Sequence, residues 1–247
     1  SLEIQHAGYL TLDARDTVKG TFPTWVVTNW GSDIYLFGRL ADHKPRIKAV
    51  LSRCDYYSCE CQRDVALAKD LGFTGEILPV FPNTGGFDLR KIMLLRSSEP
   101  PATRRMILLK GYQNWVGRAL VGLQALRQCA DLLNGYTIAI SVASPEVQIA
   151  AELFSQETKI PVEIIPTVAH DEMLGYYARA RIHIGLSISD AISTSLLESI
   201  VMGAFPIQSC TACADEWIED GKSGFIVPPE EPNAIADAIR RTLTDDR

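Results

Sequence analysis

From Arg104 onward, short apolar and β-branched runs alternate with amphipathic stretches, the pattern of a parallel sheet wrapped by helices. The runs predict strands at Met106 to Leu109, Thr137 to Ser141, Val162 to Ile165, Ile182 to Leu186, Phe205 to Gln208 and Gly224 to Val227. Between the first two, Ala119, Leu120, Leu123, Leu126, Ala130 and Leu133 recur at three- and four-residue steps. That spacing predicts a helix laying one apolar stripe on the sheet, stopped by Asn134-Gly135. The fold class expected is therefore α/β, with a doubly wound domain whose ligand sits at the carboxyl ends of the strands. Residues 1 to 93 hold only three strand-like runs, Trp25 to Thr28, Tyr56 to Cys59 and Ile77 to Val80, and one clear helix, Gln62 to Leu71. This is too little for a complete doubly wound domain. The turn-rich Phe81 to Gly86 and the polar, proline-bearing Arg96 to Pro101 bracket a boundary near residue 93. Two domains are expected, 1–93 and 94–247.

The stretch Asp190-Ala191-Ile192-Ser193-Thr194-Ser195-Leu196-Leu197-Glu198 sets two carboxylates around a strand-to-helix turn, just past the strand ending near Leu186. A helix start presents unpaired N–H groups and the positive end of its dipole, so it holds an anion without a lysine. Ala191, Ile192 and Ser193 are the expected amide donors. Carboxylates accept from vicinal hydroxyls, so Asp190 and Glu198 are expected at the two ends of one ligand that joins a phosphate to hydroxyl-rich groups. An ordinary turn with Asp190 as helix cap is the alternative.

Composition narrows the classes. At 247 residues, 47% apolar and 22% charged, the chain has the make-up of a globular protein. A net charge of −6 gives no field that attracts nucleic acid. No apolar run approaches the ~18 residues needed to span a bilayer, which leaves peripheral membrane contact open, and Ser1-Leu2-Glu3-Ile4 carries no secretion signal. A cytoplasmic setting with reduced thiols is expected. Cys59, Cys61, Cys210 and Cys213 offer a four-thiolate zinc set, but the C-x2-C spacing occurs only once, so no metal is expected. His183 lies in a strand run and reads as core; His170 opens a helix.

The chain resembles the carboxyl-terminal portion of a retaining GT-B glycosyltransferase of the large family that includes sucrose synthases and bacterial mannosyltransferases. Asp190 to Glu198 matches the family's acid, seven residues, Glu pattern, with Asp where Glu is usual. Met202-Gly203-Ala204-Phe205-Pro206-Ile207 and Glu216 to Pro228 match the segments that follow it. The likeness implies that Glu198 accepts from a ribose, that Asp190 contacts the transferred sugar, and that the 191–193 backbone holds the diphosphate with Leu196 in the same donor site. A cation is expected near the phosphates, since neutralising a leaving diphosphate lowers the barrier. In Leu109-Lys110-Gly111-Tyr112-Gln113-Asn114-Trp115-Val116-Gly117-Arg118, Gly111 fits the family's first glycine and Tyr112 stands where arginine is usual. Arg118 is the favoured cation and Lys110 the second. Val26 to Asp33 resembles the acceptor-side stretch, with Trp30 in place of the family's histidine and Asp33 the nearest carboxylate.

The resemblance thus implies a retaining, metal-independent hexosyltransferase using no cofactor, with a nucleotide-diphosphate sugar of unspecified base as donor and a sugar, glycolipid or polysaccharide as acceptor. Because the chain enters the first domain partway and ends at Thr244-Asp245-Asp246-Arg247, before the helix with which the family returns to that domain, it is expected to bind donor and turn over slowly or not at all. A GT-B nucleotide-sugar epimerase and a non-catalytic nucleotide-sugar-binding scaffold are the alternatives.

Overall fold

The computed structural model describes residues 1–245, and the chain folds as two compact units. One comprises Ser1–Gly86 with Ser189–Ile192, the other Phe87–Ile188 with the chain from Ser193 onward. Asp246 and Arg247, on which the expectation about the chain end partly rests, lie outside the described residues.

The first unit runs α1 (Tyr9–Thr17), β1 (Val26–Thr28), α2 (Ser32–Tyr35), α3 (Lys44–Leu51), β2 (Tyr56–Ser58), α4 (Gln62–Asp70) and β3 (Glu76–Ile77). The strands form a parallel sheet in the order β1-β2-β3, with Val27 opposite Tyr57 and Tyr57 opposite Ile77. Val27, Tyr57, Ile34, Ile47, Leu51 and Ala68 make its core. β3 stops short of the expected Val80. Leu78 still donates to the Tyr57 carbonyl, 2.8 Å, but Pro79 has no N–H to continue the ladder.

The second unit runs α5 (Leu89–Leu95), β4 (Met106–Lys110), α6 (Ala119–Gln128), β5 (Thr137–Ser141), α7 (Pro145–Thr158), β6 (Val162–Ile164), α8 (His170–Arg179), β7 (Ala180–Gly185), α9 (Thr194–Met202), β8 (Phe205–Ser209), β9 (Phe225–Val227) and α10 (Pro232–Thr244). Its six strands are all parallel in the order β6-β5-β4-β7-β8-β9. Alternation along β4 separates two cores. Ile107 and Leu109 face α6, α7 and α10 through Leu126, Phe154 and Ile239, while Leu108 faces α5, α8 and α9 through Ile92, Leu174 and Met202. The strand order reverses between β4 and β7, so a crevice opens at their carboxyl ends.

Two elements differ from the sequence expectation for local reasons. The apolar stripe expected in one helix leaves α6 at Gln128 and continues through a 3₁₀ turn, Ala130–Leu132, before Gly135 at φ 79° stops it. The boundary expected near residue 93 falls inside α5, whose Ile92 packs with the second unit, and the two units part after Gly86 instead. At the far end of the same unit, buried Arg181 donates to the Thr242 and Leu243 carbonyls (2.9 and 3.2 Å), to the Ala102 carbonyl and to the Tyr136 hydroxyl. It thereby satisfies the last carbonyls of α10, which have no intrahelical partner.

Candidate functional site

Lys110 ends β4 and Gly111 follows it at the switch point. Backbone crowds Gly111: its N–H donates to the Ser141 carbonyl, 2.7 Å, and a Cβ there would lie 2.7 Å from that oxygen and 2.8 Å from Ala143 Cα. Only glycine lets the chain pass this close to β5 and its loop.

α9 begins at Thr194, three residues later than the amides expected to hold a diphosphate would require. Ser193 occupies the cap position in extended backbone but makes no capping bond to the helix. Its hydroxyl instead accepts from the Lys110 ammonium, 3.2 Å, and shares a hydrogen bond with the Ser195 hydroxyl, 2.8 Å. The first-turn amides of Thr194 and Ser195 therefore have no intrahelical carbonyl and no Ser193 cap. Lys110 lies 4.9 Å from the Tyr112 ring centroid and makes no ion pair among the described residues. One turn along α9, Leu196 is fully buried and anchors the helix on the core, while Glu198 is nearly so. The Glu198 carboxylate accepts from His170 Nε2, 2.7 Å. Burial first, and then the charge of Glu198, push the Tyr177 hydroxyl above the ordinary tyrosine value.

Arg118, the expected cation, is engaged elsewhere. Its Nε donates to Glu230 Oε1 at 2.8 Å and its Nη1 to the Gly117 carbonyl at 2.9 Å. The cation on the Ser193 side is Lys110, because Arg118 sits after an Asn114-capped turn that directs it to the loop before α10. His183, in β7, is fully buried against the Tyr177 ring; desolvation and the nearby Lys110 charge push it down to about 3. It is a neutral core residue.

Asp190, Ala191 and Ile192 pack with the first unit. The Ala191 N–H donates to Asp190 Oδ1, 3.0 Å. One of the three amides expected to hold a diphosphate is thus already taken by a carboxylate. Arg63 Nη2 donates to the Asp190 carbonyl, 2.7 Å, while its guanidinium stacks 3.8 Å from the Tyr35 ring centroid. Gly31, at φ +88°, lets the two backbones meet: a Cβ there would lie 2.2 Å from Ala191 N. Glu60 accepts from Asn83 N–H, 2.8 Å, and desolvation, helped by the Asp190 and Asp64 charges, raises it to about 7. Of the two acceptor-side residues, Trp30 is exposed, but Asp33 is buried. Its carboxylate accepts from Ile4 N–H and Trp30 N–H, both at 3.2 Å, and burial raises it to about 6. Asp33 fixes loops and offers no open face.

Tyr177, Glu60 and Arg63 were absent from the sequence expectation, and His170 entered it as a helix start. A signal for the α8 pair exists: His170 and Tyr177 are seven apart and share one helix face, as Ser195 and Glu198, three apart, share a face of α9. Glu60 and Arg63 lie just beyond β2, where loop contacts leave no periodic trace.

The family model described as "Glycosyl transferases group 1" matches residues 121–245. No curated protein matches the chain. Among solved structures, a sucrose-phosphate synthase from Thermosynechococcus elongatus superposes with a TM-score of 0.71 at 19% identity, over 97% of this chain and 62% of the other. An alpha,alpha-trehalose-phosphate synthase (UDP-forming) from Burkholderia xenovorans, in complex with glucose-6-phosphate, gives 0.72 at 13% identity, over 98% and 65%. The C-terminal domain of a glycosyl transferase group 1 family protein from Francisella tularensis gives 0.55 at 16% identity, over 65% and 89%. The chain therefore spans less than two thirds of the two synthases. The shared fold is that of GT-B enzymes, with a doubly wound donor-type domain and a partial second Rossmann-like domain.

Proposed function

Since the chain belongs to the glycosyl transferases group 1 family, we propose that it serves transfer of a hexose from a nucleotide-diphosphate sugar to a sugar, glycolipid or polysaccharide acceptor. The supporting observation is the arrangement at the start of α9, which combines first-turn amides with no intrahelical partner, an ammonium bonded to Ser193 with no ion pair among the described residues, and a nearly buried carboxylate. The Thr194 and Ser195 amides and Lys110 bind the diphosphate, with the helix dipole adding to the attraction. Glu198, five residues beyond Ser193, accepts hydroxyls of the ribose. Asp190 contacts hydroxyls of the transferred sugar, and Trp30 stacks on the acceptor.

Chemistry follows from where charge develops. As the glycosidic bond breaks, negative charge grows on the departing diphosphate, where an ammonium and a helix N-terminus stabilise the transition state more than the ground state. In this proposal the leaving diphosphate takes the acceptor's proton while the new bond forms on the face it vacates, so configuration is retained. Lys110 does the neutralising that a metal does in other transferases, and no cofactor takes part. A cytoplasmic role in carbohydrate biosynthesis belongs to the same proposal; no helix among the described residues is long and apolar enough to cross a membrane.

A panel of UDP-, GDP- and ADP-sugars tested by thermal shift checks this reading. A donor at 100 times its Kd stabilises the folded chain by about 2.7 kcal/mol and raises its melting temperature. The UDP series comes first, because the Burkholderia xenovorans neighbour is described as UDP-forming. No shift with any nucleotide sugar at millimolar concentration contradicts the assignment.

A further inference from the structure

We infer that His170 is a positioning residue of the donor site, holding the Glu198 carboxylate in the orientation that receives ribose hydroxyls. The inference rests on the donor-site reading above and adds one residue to it.

A nearly buried carboxylate loses most of its hydration, so it is fixed in one orientation only where a donor replaces the water. Glu198 has such a donor on α8, the His170 ring, 2.7 Å away. The His170 side chain is 62% exposed and reaches Glu198 from the solvent side. A carboxylate offers about four lone-pair directions. With one occupied by His170, enough remain for both hydroxyls of a 2′,3′-diol.

Position makes the second argument. Lys110 bonds Ser193 and Ser193 bonds Ser195 at the phosphate end of the proposed site, while His170 bonds Glu198 one turn further along α9 at its ribose end. A carboxylate held in place before ligand arrives removes ordering cost from binding.

The test uses whichever of UDP, GDP and ADP binds most tightly, its 2′,3′-dideoxy counterpart, and inorganic pyrophosphate, titrated calorimetrically into wild type, His170→Ala and His170→Gln. Wild type prefers the ribonucleotide to the dideoxy form. In His170→Ala that preference falls about tenfold, equivalent to about 1.4 kcal/mol, while pyrophosphate affinity stays within about twofold. His170→Gln, whose side-chain amide supplies an N–H at similar reach, recovers most of the preference. An unchanged ribose preference in His170→Ala overturns the inference and leaves the donor site standing. Equal loss for all three ligands overturns it too, as a purely structural effect. Absence of any ribose preference in wild type overturns the donor-site reading itself.

Discussion

Replacing Gly31 with alanine probes how the Asp190 segment is held. Two costs are separable. The backbone at φ +88° is unfavourable for any residue with a Cβ, by about 1–2 kcal/mol. The new methyl would also lie 2.2 Å from Ala191 N and 2.6 Å from the Asp190 carbonyl carbon, well inside the 3.4 Å at which ordinary contact begins. Both neighbours are backbone, so relief requires the 189–192 segment to move by more than about 1 Å, and overpacking of this kind adds about 1–3 kcal/mol. Gly85 supplies the control, since it has φ +84° and nothing within 4 Å of its Cβ position. Gly85→Ala should lose only the backbone cost, and Gly31→Ala about 2–5 kcal/mol in all, measured by urea unfolding monitored by circular dichroism. The displaced segment leads directly into Ser193, so Gly31→Ala should also bind nucleoside diphosphate more weakly, and Gly85→Ala should not. Equal destabilisation by the two substitutions, with unchanged nucleotide affinity in both, would refute the view that close backbone approach at Gly31 sets the Asp190 segment.

Three further outcomes follow from the same geometry. Lys110→Met should weaken nucleoside diphosphate binding about tenfold or more and flatten its salt dependence, whereas Arg118→Met, whose charge Glu230 already offsets, should lose far less; equal losses by calorimetry would contradict the assignment of Lys110 as the phosphate cation. Glu60 binds its proton more tightly folded than unfolded, with about 7 against an ordinary 4.5, so its contribution to stability is present at low pH and is lost as pH rises through that window. Relative to wild type, Glu60→Gln should therefore gain about 1–2 kcal/mol between pH 5 and pH 8, after allowance for solvent screening, and a flat difference in urea unfolding would count against it. Arg181→Met should cost about 2–4 kcal/mol in the same assay, because it strips donors from the last carbonyls of α10 and from the buried Tyr136 hydroxyl; a loss below about 1 kcal/mol would show that water replaces them.

The second unit was legible because its strands are buried on both faces and its helices on one, so hydrophobic period alone locates them. Thr137–Ser141 matches the expected strand at both ends. Discrepancies arise where local chemistry intervenes: Pro79 shortens β3, and a 3₁₀ turn ends α6 early. At the site, the strand-to-helix turn before Glu198 was legible from residue type and spacing, although α9 opens at Thr194, after the amides expected to begin it; Gly111 entered only through the family resemblance. Side-chain partnerships were not legible. Nothing in the local sequence tells that Glu230 takes Arg118, that Glu60 takes the Asn83 amide, or that Asp33 turns inward to Ile4, since each pairing joins loops far apart in the chain. Lys110, the second of the two expected cations, is favoured over Arg118 by its hydrogen bond to Ser193.

The most direct measurement is calorimetric titration of UDP, GDP and ADP into wild type and Glu198→Ala. At least one nucleotide should bind wild type, and the substitution should weaken it by about 1–3 kcal/mol, the cost of leaving ribose hydroxyls and the His170 donor without their acceptor. Binding of equal strength to both proteins, or of no nucleotide to either, would contradict the donor site at the start of α9.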